Sequence, residues 1–137
     1  MGLIVDVSVA LAWNVVSQAS ELTMRAAAIV EAEGGEVPFH FHVEHANALV
    51  MLIRRGRLTR PLADRAIANM LLADLDVDQG DTRVVYSEAL PLADQYRLSV
   101  YDALYLELAL RTGLPLATRD TALAAAAAAA GATLLTA

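Results

Sequence analysis

Ser99-Val100-Tyr101-Asp102-Ala103-Leu104-Tyr105-Leu106-Glu107-Leu108-Ala109-Leu110-Arg111-Thr112-Gly113 runs directly into Leu114-Pro115-Leu116-Ala117-Thr118-Arg119-Asp120. This stretch decides the fold. Ser99 opens a helix over Val100–Thr112, and Gly113 ends it, because glycine readily takes the left-handed backbone that closes a helix. Leu114–Thr118 then reads as a short apolar strand. Thr121–Ala130 returns to helix with seven consecutive alanines, the best helix formers, and stops at Gly131. Thr133–Leu135 reads as a last strand. Helices and strands that alternate in this way build a sheet whose strands are parallel and joined by helical crossovers.

The same grammar extends to the N-terminus. Gly2–Val7 is apolar and β-branched, a good buried strand. Ser8 is placed to cap a helix over Val9–Val16, and Ser20 a second helix to about Glu33, which Gly34-Gly35 ends. Glu36–Phe39 reads as a strand. From His42 to Arg55, residues Ala46, Leu49, Val50 and Ile53 recur at helical spacing, and Gly56 closes that helix. Thr59 caps a further helix, with Pro61 in its first turn, to about Ala73. Leu75–Val77 reads as a short strand. Residues 81–97 are helical, with Pro91 expected to kink or split them. There is no repeat and no linker, so the expectation is one α/β domain over residues 1–137, layered on a mostly parallel sheet.

Composition narrows the chemistry. The 137 residues are 57% hydrophobic and 19% charged, enough for a full core. There is no cysteine, which excludes disulfides, thiolate nucleophiles and zinc–cysteine sites. All ten basic residues are arginine, so neither a P-loop nor a Schiff-base mechanism is available. Net charge is −6, so any nucleic acid must be met by a local basic patch or through bound metal. No segment reads as a signal peptide or membrane span, and the expected location is the cytoplasm.

Most acids, including Glu31, Glu33, Asp64, Asp74, Asp76 and Asp78, read as solvated surface. Four stand apart. Asp6 interrupts the end of the first strand, and Asp120 follows the strand at Leu116–Thr118. Carboxyl ends of parallel strands are where ligands bind. Glu44 and Asp102 lie in the first turns of their helices. Each has a structural alternative: Asp6 and Asp120 as helix caps, Glu44 as a charge favoured at a helix N-terminus, and Asp102 in a capping-box-like Ser-x-x-Asp. Taken together, two strand ends and two helix starts fall on one edge of a parallel sheet. Gathered carboxylates repel, and divalent cations relieve that repulsion. All-oxygen ligands suit Mg2+ or Mn2+.

At these residues the chain resembles the PIN-domain ribonucleases, specifically the VapC-type toxins of toxin–antitoxin pairs. Ile4-Val5-Asp6-Val7-Ser8-Val9-Ala10-Leu11-Ala12-Trp13 is similar to the opening motif. Val37-Pro38, Glu44-His45-Ala46-Asn47-Ala48-Leu49 and Arg54-Arg55-Gly56-Arg57-Leu58 are similar to the second block. Leu98–Tyr105 and Leu116–Asp120 are similar to the third and fourth. The resemblance implies a three-layer fold with a central parallel sheet flanked by helices. It implies metal-binding acids at Asp6, Glu44, Asp102 and Asp120, with Ser8, Asn47 and Thr118 supporting them. It also implies Mg2+ or Mn2+ dependence, a homodimer, and endoribonuclease activity blocked by a small antitoxin. Such antitoxins lay a C-terminal segment over the groove and can place an arginine near the acids. Two departures are visible. Asn14–Gln18 lacks the acid often found after the opening tryptophan, and His40, His42 and His45 around Glu44 are not a general family feature.

Those histidines alternate with Glu44 as a strand-borne metal site would, but a helix starting near His42 breaks the alternation. A groove wall or an RNA-contacting surface is the better expectation. Arg54, Arg55, Arg57, Arg60 and Arg65 form the basic cluster, readable as a solvated helix end or as a phosphate contact. Tyr101, Tyr105 and Trp13 read as core. The expected function is a metal-dependent endoribonuclease. The alternatives are a catalytically weak PIN-fold module acting through a partner, and a metal-dependent DNA nuclease or phosphatase.

Overall fold

The computed structural model describes residues 2–137. Four strands, β1 (Ile4–Val5), β2 (Gly35–Pro38), β3 (Leu75–Asp78) and β4 (Leu116–Ala117), form one sheet in the order β3-β2-β1-β4. Every pairing is parallel, with Ile4 opposite Glu36 and Leu116, and Gly35 opposite Leu75. Seven α-helices are described: α1 (Val7–Ala12), α2 (Glu21–Glu33), α3 (Phe41–Arg54), α4 (Arg60–Leu72), α5 (Leu90–Tyr96), α6 (Val100–Thr112) and α7 (Thr121–Ala130). This is an α/β architecture built on one parallel sheet.

The chain steps outward from β1 to β2 to β3, then crosses back to place β4 on the other side of β1. The reversal is a topological switch point, where the loops after β1 and β4 diverge and leave a crevice at the carboxyl ends of the strands. Right-handed crossovers before and after the switch fall on opposite faces of the sheet. The core follows from this. Leu3, Ile4, Val5, Val37, Leu116 and Ala117 are fully buried and pack with Tyr105, Leu106 and Leu108 of α6. Residues Ala103–Ala109 are buried without a break; all but Glu107 are hydrophobic, so the middle of α6 is apolar on nearly every side, as a helix segment packed inside the fold must be. Gly35 lets β2 and β3 close up: a Cβ there would lie 2.8 Å from Leu75 Cδ2.

Most predicted helices have the expected limits. Ser20 caps α2 through a capping box with Thr23, Thr59 caps α4, and Ser99 caps α6. Four expectations are corrected. β1 is two residues long, because the Asp6 carbonyl already accepts from the Val9 and Ala10 amides. Helix α1 therefore starts at Val7 and ends at Ala12, and Ser8 does not cap it. The helical stretch over residues 81–97 is divided just before Pro91, which lies in the first turn of α5. The proline ring would crowd the carbonyl four residues back, and the chain widens into a π-helical stretch over Val84–Ala89. β4 stops at Ala117. Thr133–Leu135 makes only a single bridge, Leu134 beside Leu116. No helix among the described residues is long and apolar enough to cross a membrane.

Candidate metal centre

Asp6 leaves the end of β1 and is 3% exposed. A carboxylate so placed needs hydrogen-bond donors, and two hydroxyls supply them at its Oδ2. Ser8 Oγ donates at 2.7 Å and Thr118 Oγ1 at 2.7 Å. Both hydroxyls are themselves held. Ser8 Oγ accepts from the Arg119 amide at 2.9 Å, and Thr118 Oγ1 from the Asp120 amide at 3.0 Å. The ends of β1 and β4 are thus tied through the side chains that orient Asp6. Burial is the largest influence on Asp6 and pushes its pKa up; the two hydroxyls pull it down, and Glu44 pushes it up again.

Glu44 stands one turn into α3. Its burial raises its pKa, but His40 and Tyr105 outweigh that and leave it below the ordinary value. Tyr105 Oη donates to Glu44 Oε1 at 2.8 Å, and His40 Nε2 lies 3.0 Å from the same oxygen without the alignment of a full hydrogen bond. Asp102 occupies the first turn of α6. Ser99 Oγ, not Asp102, is the cap there, accepting from the Asp102 amide at 3.1 Å. Asp102 is pushed up to about 6, first by burial and then by the charges of Asp6, Asp120 and Glu44, against a modest pull from Ser99. Asp120 does cap its helix, accepting from the Leu123 amide at 3.0 Å, so it holds a structural position as well as a place in the cluster.

The fold therefore brings the other three acids within electrostatic reach of Asp102. As the side chains stand, no three His, Asp or Glu among the described residues close around one point as a finished ion cage. Four like charges without a counter-ion stay apart, and a cation is what draws such oxygens together. The donor set is all oxygen, is short of positive charge and leaves one carboxyl with a raised pKa. It suits a hard divalent ion.

Of the expected supporting residues, Ser8 and Thr118 touch Asp6, whereas Asn47 is exposed one turn beyond Glu44 and bonds none of the acids. Sequence reading missed Tyr105 and His40 as partners of Glu44. His40 was detectable from its spacing of four residues from Glu44. Tyr105 shared only a helical face with Asp102. Tyr101 is not core: it is 62% exposed. The histidines do not converge, since His42 is exposed and His45 is buried, stacked on Phe41. The arginine cluster begins at the far end of α3, roughly 15 Å along the helix axis from Glu44.

The PIN domain family model matches residues 3–136. The solved structure of PAE2754 from Pyrobaculum aerophilum aligns with 92% of this chain and 84% of its own length, with a TM-score of 0.70 and 24% sequence identity. That likeness is one of fold. No curated protein sequence matches the chain.

Proposed function

This chain belongs to the PIN-domain family, whose members are in general metal-dependent nucleases, and from that premise we propose that it is a Mg2+- or Mn2+-dependent endoribonuclease of the VapC toxin type. The observation that carries the reading is Asp102, crowded by Asp6, Asp120 and Glu44 at the end of the sheet, where burial and those three carboxylates push its pKa up to about 6. Such crowding is costly for an apoprotein and useful for one that takes up a divalent cation. Asp6, Glu44, Asp102 and Asp120 would hold the metal. When bound, it supplies charge neutralisation at the scissile phosphate and a more acidic water.

The chain's own residues do the rest. Ser8 and Thr118 fix the Asp6 carboxylate, and Tyr105 fixes Glu44, so that the ligand oxygens do not reorganise at each turnover. Glu44 and Asp102, more open than Asp6, are placed to accept a proton from a water lined up against phosphorus. A homodimer and a cognate antitoxin, together in one larger toxin–antitoxin complex, are proposed as partners. The support is apolar surface left in water on α2 and α4, where Met24, Ile67, Leu71 and Leu72 are exposed. RNA is the proposed substrate and the cytoplasm the proposed location.

The test is cleavage of single-stranded RNA, DNA of the same sequence and a small phosphate ester, each with Mn2+, Mg2+ or EDTA. Cleavage of RNA in both metals and none in EDTA is expected. Full activity in a chelated sample would overturn the mechanism, and preference for DNA or the ester would replace the substrate. A small reading frame directly upstream, encoding a DNA-binding domain and a short tail, is expected for the toxin role.

A further inference from the structure

A cleft of about 380 Å3 opens beside the acids, lined by His40, Val43, Glu44, Asn47 and Tyr101. Its walls leave large apolar side chains in water: Val43 is 72% and Tyr101 62% exposed. The Tyr101 ring is braced from behind. It packs on His40 with ring centroids 5.7 Å apart at 43°, and His40 packs in turn on Tyr105 at 5.2 Å and Phe39 at 5.8 Å. A braced aromatic ring with an open face is a stacking platform, available at little entropic cost. Beneath it, His40 is buried, and its Nδ1 has no hydrogen-bond partner among the described residues. Asn47, exposed and three residues after Glu44 on the same helix, brings an amide with both donor and acceptor to the rim.

We infer that this cleft is a nucleobase subsite, in which an unpaired base stacks on Tyr101 and Asn47 meets its hydrogen-bonding edge. The inference rests on the ribonuclease reading and deepens it. Glu44 lines the cleft and also belongs to the acid cluster, so a base seated there sets the neighbouring phosphate at the acids. Stacking with one amide contact gives a preference for single-stranded substrate and a modest choice among bases. Tyr101 is thereby a specificity-determining residue.

The experiment couples a protein change to an RNA change. An unpaired oligoribonucleotide and a series of copies, each abasic at one position, are bound in Ca2+ to the parent protein and to Tyr101→Ala, Tyr101→Phe and Tyr101→Leu. For the parent, one abasic position next to the cut site should weaken binding about tenfold, the scale of losing one base–aromatic stack. For Tyr101→Ala and Tyr101→Leu the same replacement should change nothing further, while Tyr101→Phe behaves as the parent. Melting temperatures verify that each variant folds, as an exposed side chain permits. Full, independent abasic penalties in Tyr101→Ala would overturn the subsite while leaving the ribonuclease reading intact. Failure of the parent to bind or cut any RNA would overturn both.

Discussion

Helix α6 carries acids at both ends, and the two groups are built on opposite plans. At its C-terminal half, Glu107 is buried but answered by Arg111, whose Nε lies 2.7 Å from Oε1 and Nη2 3.0 Å from Oε2. The same guanidinium donates to both Asp78 oxygens at 3.0 and 2.8 Å, tying α6 to the end of β3. Those hydrogen bonds hold the Asp78 pKa below its usual value and Arg111 above its own. At the N-terminal half, Asp102 meets three carboxylates and no arginine among its influences, and its pKa goes up. Acids that serve structure carry their counter-charge with them. Asp102 is left short of one, as the proposed cation site requires.

The largest effect expected from this contrast is at Asp102. Asp102→Asn keeps size and, as a first-turn residue under the Ser99 cap, keeps the helix. Cleavage in Mn2+ should fall by about two orders of magnitude, roughly 3 kcal/mol of transition-state stabilisation. Melting temperature in EDTA should hold or rise, because one of four repelling charges is gone. Near-parent cleavage by this variant would make Asp102 structural and dissolve the contrast.

Arg111→Met is the converse change. It strands Glu107 and Asp78, and urea unfolding should show a loss of about 2 kcal/mol, below the figure for a fully buried pair because the guanidinium is 42% exposed. Activity per folded molecule should be unchanged. Thr118→Val removes one hydroxyl from Asp6 Oδ2. Calorimetric titration should show metal affinity reduced about tenfold, the scale expected when a ligand loses an orienting partner.

The smallest effect is a slope in pH. Unfolded, Asp102 releases its proton near 3.8; folded, near 6. Between those values the folded state holds more proton, so stability of the metal-free protein falls as pH rises through the window. Asp78, with its lowered pKa, acts in the opposite sense at lower pH, where protonation removes its stabilising charge. Melting curves of the parent and Asp102→Asn in EDTA, from pH 4.5 to 6.5, isolate the Asp102 contribution. The parent should lose more stability than the variant on going up, and saturating Mn2+ should remove the difference. Parallel profiles would mean that the four charges do not reach one another.

Much of this was legible in order of residues. Ser20, Thr59, Ser99, Gly113 and Gly131 mark helix ends through local backbone chemistry, which needs no distant partner. The four acids stood out because each sits where a strand ends or a helix begins. Less legible were features set by contacts across the fold. The Asp6 carbonyl began α1 two residues earlier than Ser8 suggested. The stretch before Pro91 took a π-helical form over Val84–Ala89 that no local pattern announces. Asp78 read as surface until Arg111, 33 residues on, reached it.

The sequence by itself determined the alternation of strands and helices, the absence of thiol and lysine chemistry, and which carboxylates fall at element ends. These depend on neighbours within about one helical turn. Tertiary structure alone decided that β4 lies beside β1, so that Thr118 meets Asp6 across 112 residues, and that Tyr105 bonds Glu44 across 61. It also decided that Tyr101 faces water while Tyr105, one helical turn on, is fully buried. Both tyrosines carry the same local pattern, and which face of α6 meets the sheet depends on packing against elements distant in the chain.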